Sequence, residues 1–102
     1  MAMSFKTGKI HFSGCRGNIT TKDGSVTFEI PVAQAEVLIR GFEVEFENSE
    51  HPVQNIQVFA EKAKVEGKKV SFKGTLAIKD NTGYYDDNYG GWIEVLTIAN
   101  SQ

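Results

Sequence analysis

The sequence predicts an all-β domain, a six-stranded antiparallel β-sandwich, and three observations carry that expectation. Short runs alternate apolar and polar with a period of two, most plainly Phe42, Val44 and Phe46 against Glu43, Glu45 and Glu47. Glycine- and asparagine-bearing turn signals separate these runs. No stretch shows the 3.6-residue apolar spacing of an amphipathic helix longer than three turns, and there is no internal repeat or low-complexity tract. The 102 residues read as one domain, 1–102, large enough to bury roughly 60–65% of the surface that its unfolded chain exposes.

In chain order, Phe5–Phe12 has β character and runs into Ser13-Gly14-Cys15-Arg16-Gly17-Asn18, a stretch that reads as a loop. Asn18-Ile19-Thr20 fits the glycosylation acceptor pattern, and is read as a polar loop leading into a strand. Lys22-Asp23-Gly24-Ser25 reads as a turn, and Val26–Ile30 as a short strand ending at Pro31. Gln34–Glu47 holds a long strand in which Val37, Leu38 and Ile39 are apolar on both sides and should be covered twice. Gly41 reads as a bulge where that strand bends. Asn55–Val65 and Lys69–Ile78 form a predicted hairpin around Gly67-Lys68, with glycine where a type II′ turn needs positive φ. With Gly67-Lys68 as the loop this pairs Val65 with Val70, Ala63 with Phe72 and Phe59 with Leu76 on the core face, and puts Ile56, Val58 and Ala60 on the opposite face. The last strand, Trp92–Ala99, is apolar on both faces, Leu96 and Ile98 on one and Ile93 and Val95 on the other. A two-layer sandwich needs one apolar face per strand, so the surplus predicts a subunit interface.

Composition excludes several function classes. A formal charge of −2 with cations and anions interspersed offers no basic field for nucleic acid. No apolar run approaches the ~20 residues that a membrane-spanning helix needs, and the N-terminus has no apolar leader core, which predicts a cytoplasmic protein. Cys15 is the only cysteine, so no intramolecular disulfide or cysteine-based zinc site can form, and it reads as a small inert thiol. His11 lies four residues away without a third group to complete a triad, and His51 beside Pro52 lacks a second metal ligand nearby. No enzyme, no cofactor and no metal site is expected.

Recognition chemistry concentrates in Lys79–Trp92. All three tyrosines (Tyr84, Tyr85, Tyr89) and the single tryptophan, Trp92, fall there, among Asp80, Asn81, Asp86, Asp87 and Asn88. Tyrosine and tryptophan combine an apolar face with a polar handle, and carboxylates and amides take hydroxyl hydrogen bonds, the two halves of sugar recognition. Three alternatives stand beside it. An oxygen cage for calcium would use Asp80, Asp86, Asp87 and Asn88, although Gly90 and Thr97 break the EF-hand pattern. Glycoside hydrolysis would need one carboxylate marked for a raised pKa, and none is. Finally, the loop can fold over the open end of a sandwich and plug it.

Taken together, Gly8-Lys9-Ile10, Val26-Thr27-Phe28 ahead of Pro31, Ala35–Val44, Asn55-Ile56-Gln57-Val58, Phe72-Lys73 and Asn81-Thr82 give the chain a resemblance to the H-type lectin family over almost its full length. The resemblance implies a six-stranded sandwich assembled as a trimer or hexamer, with sites for N-acetylgalactosamine-like sugars at protomer boundaries. By position, the family's sugar-contacting arginine falls at Gln57 and its stacking tryptophan near Lys79. A polar contact falls at Asp80, a tyrosine at Tyr85, and an acidic loop residue, in a poor match, at Asp23; 86–91 reads as an insertion. The expectation is therefore a non-catalytic, homo-oligomeric carbohydrate-binding module. Its candidate ligand contacts are Gln57, Asp80, Tyr85, Asp86 and Asn88. The competing expectation is an assembly or protein-interaction sandwich whose loop serves subunit or partner contacts.

Overall fold

The structure, a computed structural model, describes residues 3–15, 19–46, 53–80 and 88–101, without the side chains of 53, 54, 79 and 80. Six strands account for nearly all of them: β1 (Met3–Cys15), β2 (Thr20–Thr27), β3 (Val32–Phe46), β4 (Val53–Glu66), β5 (Lys69–Asp80) and β6 (Tyr89–Ser101). No helix occurs among the described residues. Two three-stranded antiparallel sheets form, in the orders β1-β6-β3 and β2-β5-β4, and pack face to face. Ile10, Phe12, Val37, Ile93, Val95 and Ala99 from the first sheet meet Val26, Val70, Phe72, Leu76 and Ile78 from the second in one buried cluster.

The central strands explain the doubly apolar sequences. On β6, Ile93, Val95, Thr97 and Ala99 point into the core, while Trp92, Glu94, Leu96 and Ile98 lie half-buried on the outer face between the flanking strands. Of the triplet expected to be covered twice, only Val37 is buried. Leu38 and Ile39 are 52% and 40% exposed, because β3 is an edge strand.

Several boundaries differ from the sequence reading. Lys22–Ser25 is no turn: it lies inside β2, each residue paired with β5. Its polar side chains face water from an edge strand, and such a strand needs only one apolar face. The strand expected at Val26–Ile30 stops at Thr27, and Phe28 and Val32 instead donate their N–H groups to the carbonyls of Lys68 (2.8 Å) and Gly67 (2.9 Å). Ser13, Gly14 and Cys15 continue β1 through an irregularity after Phe12, and Cys15 is buried opposite Tyr89.

The β4–β5 hairpin turns at Gly67 and Lys68 as expected. Gly67 has φ 62° and no non-glycine residue among those described has positive φ, which is the type II′ pattern. Beyond Val65–Val70 the register differs. Ala63 is an extra residue between Lys62–Phe72 and Lys64–Ser71, so Leu76 faces Val58 and Phe59 faces Thr75. Because side chains alternate, this one-residue bulge exchanges the two faces. Val58 and Ala60 pack against the core, while Phe59 is 59% exposed on the outer face. The bulge read at Gly41 is present: Ile39 and Gly41 face consecutive β6 residues and Arg40 is the extra one.

Candidate functional site

One end of the molecule gathers the connections β1–β2, β3–β4 and β5–β6, since Cys15, Thr20, Phe46, Val53, Asp80 and Tyr89 all terminate strands there. Asp80 and Tyr89, the described residues that bound 81–87 together with Asn88, lie at this end. Of the expected ligand contacts, Gln57 is half-buried on β4 opposite Ala77, and Asp80 closes β5 opposite Val53. Three residues along β5 separate those two registers, about 10 Å of strand. Asn88 is half-buried immediately before β6. Tyr85 and Asp86 lie outside the described residues, as does Asp87, so of the calcium cage only Asp80 and Asn88 are placed. Asp23, the poorly matched acidic position, sits mid-strand on β2 opposite Lys73, away from this end.

Tyr89 is a correction to the reading of 79–92 as exposed recognition surface. It begins β6 and is fully buried; its hydroxyl donates to the Leu76 carbonyl (3.0 Å) and lies 2.8 Å from the Thr20 hydroxyl. A phenol closes this end because its ring fills the space between the sheets while its hydroxyl reaches a backbone carbonyl and a threonine. The plugging function weighed for the loop therefore falls to Tyr89 itself. Gly91 is equally committed to structure: its φ is 151°, and a Cβ there would collide with the Glu43 backbone carbonyl. The close β6–β3 approach needs glycine at that point.

Trp92 lies on β6, within the last strand that the sequence reading expected. It stands half-buried on the outer face of the β1-β6-β3 sheet, between His11 and Glu43. The Lys9 ammonium lies 4.3 Å from the ring centroid, within cation–π range. One rung further along β6, the Glu94 carboxylate accepts from Arg40 at 2.6 Å, an exposed ion pair of small energetic consequence. An aromatic ring with an ammonium over it and an ion pair one rung along the strand can offer both stacking and hydrogen bonds. The strand period carries this signal in the sequence, since Trp92 shares the parity of Glu94 and Leu96 rather than that of Ile93.

A second surface pair joins Lys64 and Glu66. Glu66 accepts from Lys64 at 2.9 Å, and that hydrogen bond, then the Lys64 charge, holds its carboxyl below the ordinary value of 4.5. Among the described residues, no three His, Cys, Asp or Glu side chains converge in a way that could hold a metal ion. No described helix is long and apolar enough to cross a membrane. Compared with protein-family models and with curated proteins, the chain finds no match.

Proposed function

We propose that this protein is a non-catalytic carbohydrate-binding module that works as a homo-oligomer. The observation that carries the reading is the convergence of three connections at the end where Gln57, Asp80 and Asn88 lie, next to the stretch holding Tyr84, Tyr85, Asp86 and Asp87. In this reading Asp80, Asp86 and Asn88 fix sugar hydroxyls, Tyr85 stacks on a sugar face, and Gln57 contributes from the adjacent strand. The likeness to H-type lectins supports the sugar class and an assembly of trimers or hexamers. It carries over incompletely, because Gln57 and Lys79 stand where that family holds arginine and tryptophan.

A glycan array probed with the oligomer, with and without calcium, tests this. Binding that is lost in Asp80→Ala and Tyr85→Ala, with the melting temperature unchanged, supports it; silence across all glycans under both conditions overturns it. The second reading, a protein-interaction or assembly sandwich, is favoured by a different observation: large apolar side chains stand exposed on β3 and β4.

A further inference from the structure

Four of the six strands are sheet edges: β1 and β3 flank β6, and β2 and β4 flank β5. The outward backbone groups of an edge strand can pair with a strand from another chain unless something interrupts or covers them. Two of these edges are interrupted. β3 carries extra residues at Ala33 and Arg40, and β4 breaks register between Val53 and Asn55 and again at Ala63. A bulge leaves one residue unpaired and adds local twist, so no long straight row of N–H and C=O groups remains on either strand.

The other two edges are regular. β1 holds register with β6 from Met3 to Phe12, and β2 holds register with β5 from Thr20 to Thr27. Each carries a lysine on its core-facing side: Lys6 shares the parity of Ile10 and Phe12, and Lys22 that of Val26. Both reach across the seam to the backbone of the other sheet. Lys6 Nζ donates to the Thr27 carbonyl (2.6 Å), and Lys22 Nζ donates to the His11 carbonyl (2.9 Å). The two ammoniums stand 5.9 Å from the Phe28 ring centroid and 5.6 Å from that of Phe12, so a carbonyl and an aromatic ring hold each one. Lys62 and Lys64 of β4 donate to no backbone carbonyl among the described residues.

We propose that Lys6 and Lys22 form a reciprocal clasp that bars the regular β1 and β2 edges from pairing with a second copy of this chain. The distribution of the two devices carries the proposal. The edges without a bulge along their paired length are the clasped ones, and the edges without a clasp are the bulged ones. The Thr27 and His11 carbonyls are acceptors that an added strand would use, and each is already occupied. A strand laid against either edge would also strip water from an ammonium ion, which costs free energy. The proposal does not rest on the sugar reading. It is measured against the wild-type species, whatever its size, and a silent glycan array leaves it standing.

Sedimentation velocity on the intact chain at about 100 µM tests it, since unpaired strand edges associate at micromolar to millimolar concentrations. Lys6→Thr/Lys22→Thr, with its β-sheet circular dichroism retained, should at least double the weight-average mass of the wild-type species. Lys6→Arg/Lys22→Arg, which keeps charged donors, should leave the mass unchanged. So should Lys9→Thr, which removes a lysine from the opposite face of β1. In the threonine variant, amide hydrogen exchange should slow at Thr7, Lys9, Thr21, Asp23 and Ser25. Their backbone groups point outward with those of His11 and Thr27, because direction alternates along an edge strand. A double threonine variant that keeps the wild-type mass overturns the proposal. So does an equal rise in either control, or association that leaves those amides unprotected. If the double variant loses its circular dichroism, Lys22→Thr alone gives the same comparison.

Discussion

Thr97 is fully buried on the core face of β6, and among the described residues its hydroxyl oxygen has no hydrogen-bond partner. A buried hydroxyl without a partner loses its water and regains nothing, whereas valine fills nearly the same volume without that loss. Thr97→Val should therefore stabilise the fold by about 1 kcal/mol, which for a domain of this size raises the melting temperature by about 4–8 °C. A lower melting temperature would show that the hydroxyl is satisfied. Glu66 offers a second test at this scale. Its carboxyl is held below 4.5 by Lys64, so the folded state favours the charged form. That contribution is present at neutral pH and is lost as pH falls below 4.5 through the folded-state value. The group is fully exposed, so the consequence for stability is small and salt-sensitive. Carboxyl NMR titration should place Glu66 below 4.5 and Lys64→Ala should return it toward that value; an unmoved midpoint would rule out the pairing in solution.

At the scale of the element, the bulge at Ala63 governs β4. A hairpin counted outward from Gly67-Lys68 sends Phe59 inward and Val58 outward, and the extra residue reverses both. The two alternatives differ in a simple experiment. Phe59→Ser should change stability by less than about 1 kcal/mol, whereas Val58→Ser should cost about 2 kcal/mol in urea unfolding. The opposite ranking would restore the unbulged register. Tyr89 acts at the same scale, because one hydroxyl ties the start of β6 to β5 and β2 and so aligns three strands at the end where the candidate site lies.

For the whole molecule, length is the distinguishing property. Strands of up to 15 residues give an extent of 51 Å against 17 Å in the two other directions. The radius of gyration, 15.7 Å, exceeds the roughly 13 Å of a compact domain of this size. A long, thin sandwich has more seam per residue to close than a short one. Lysines lie across the β1–β2 seam, and large apolar side chains stand exposed on β1 as well as on β3 and β4. Ligand binding is also read at this scale. A sugar at ~100 times its dissociation constant should raise unfolding free energy by about 2.7 kcal/mol, and calcium at millimolar concentration should do likewise if the cage exists. A melting temperature unmoved by millimolar calcium would remove the cage.

The all-β class, the number of strands, the Gly67-Lys68 turn and the bulge near Gly41 were all determined by the sequence alone. Each rests on a local cause: the two-residue period of a strand, the φ freedom of glycine, and a break in alternation between Ile39 and Phe42. The candidate residues Asp80, Tyr85, Asp86 and Asn88 were likewise legible as a composition, since polar and aromatic types cluster by sequence in 79–92, whereas Gln57 entered only through the resemblance to H-type lectins. Tertiary structure decided what those local rules leave open. It drew Tyr89 out of that cluster into the core, half-buried Trp92 between β1 and β3, and made a paired strand of the polar Lys22–Ser25 stretch. It also inserted Ala63 as an extra residue, which exchanged the faces of β4 and left Phe59 outside. The physical reason is common to all four. Alternation says that two faces differ, but only the partner strand's register and the opposite sheet decide which of them is covered.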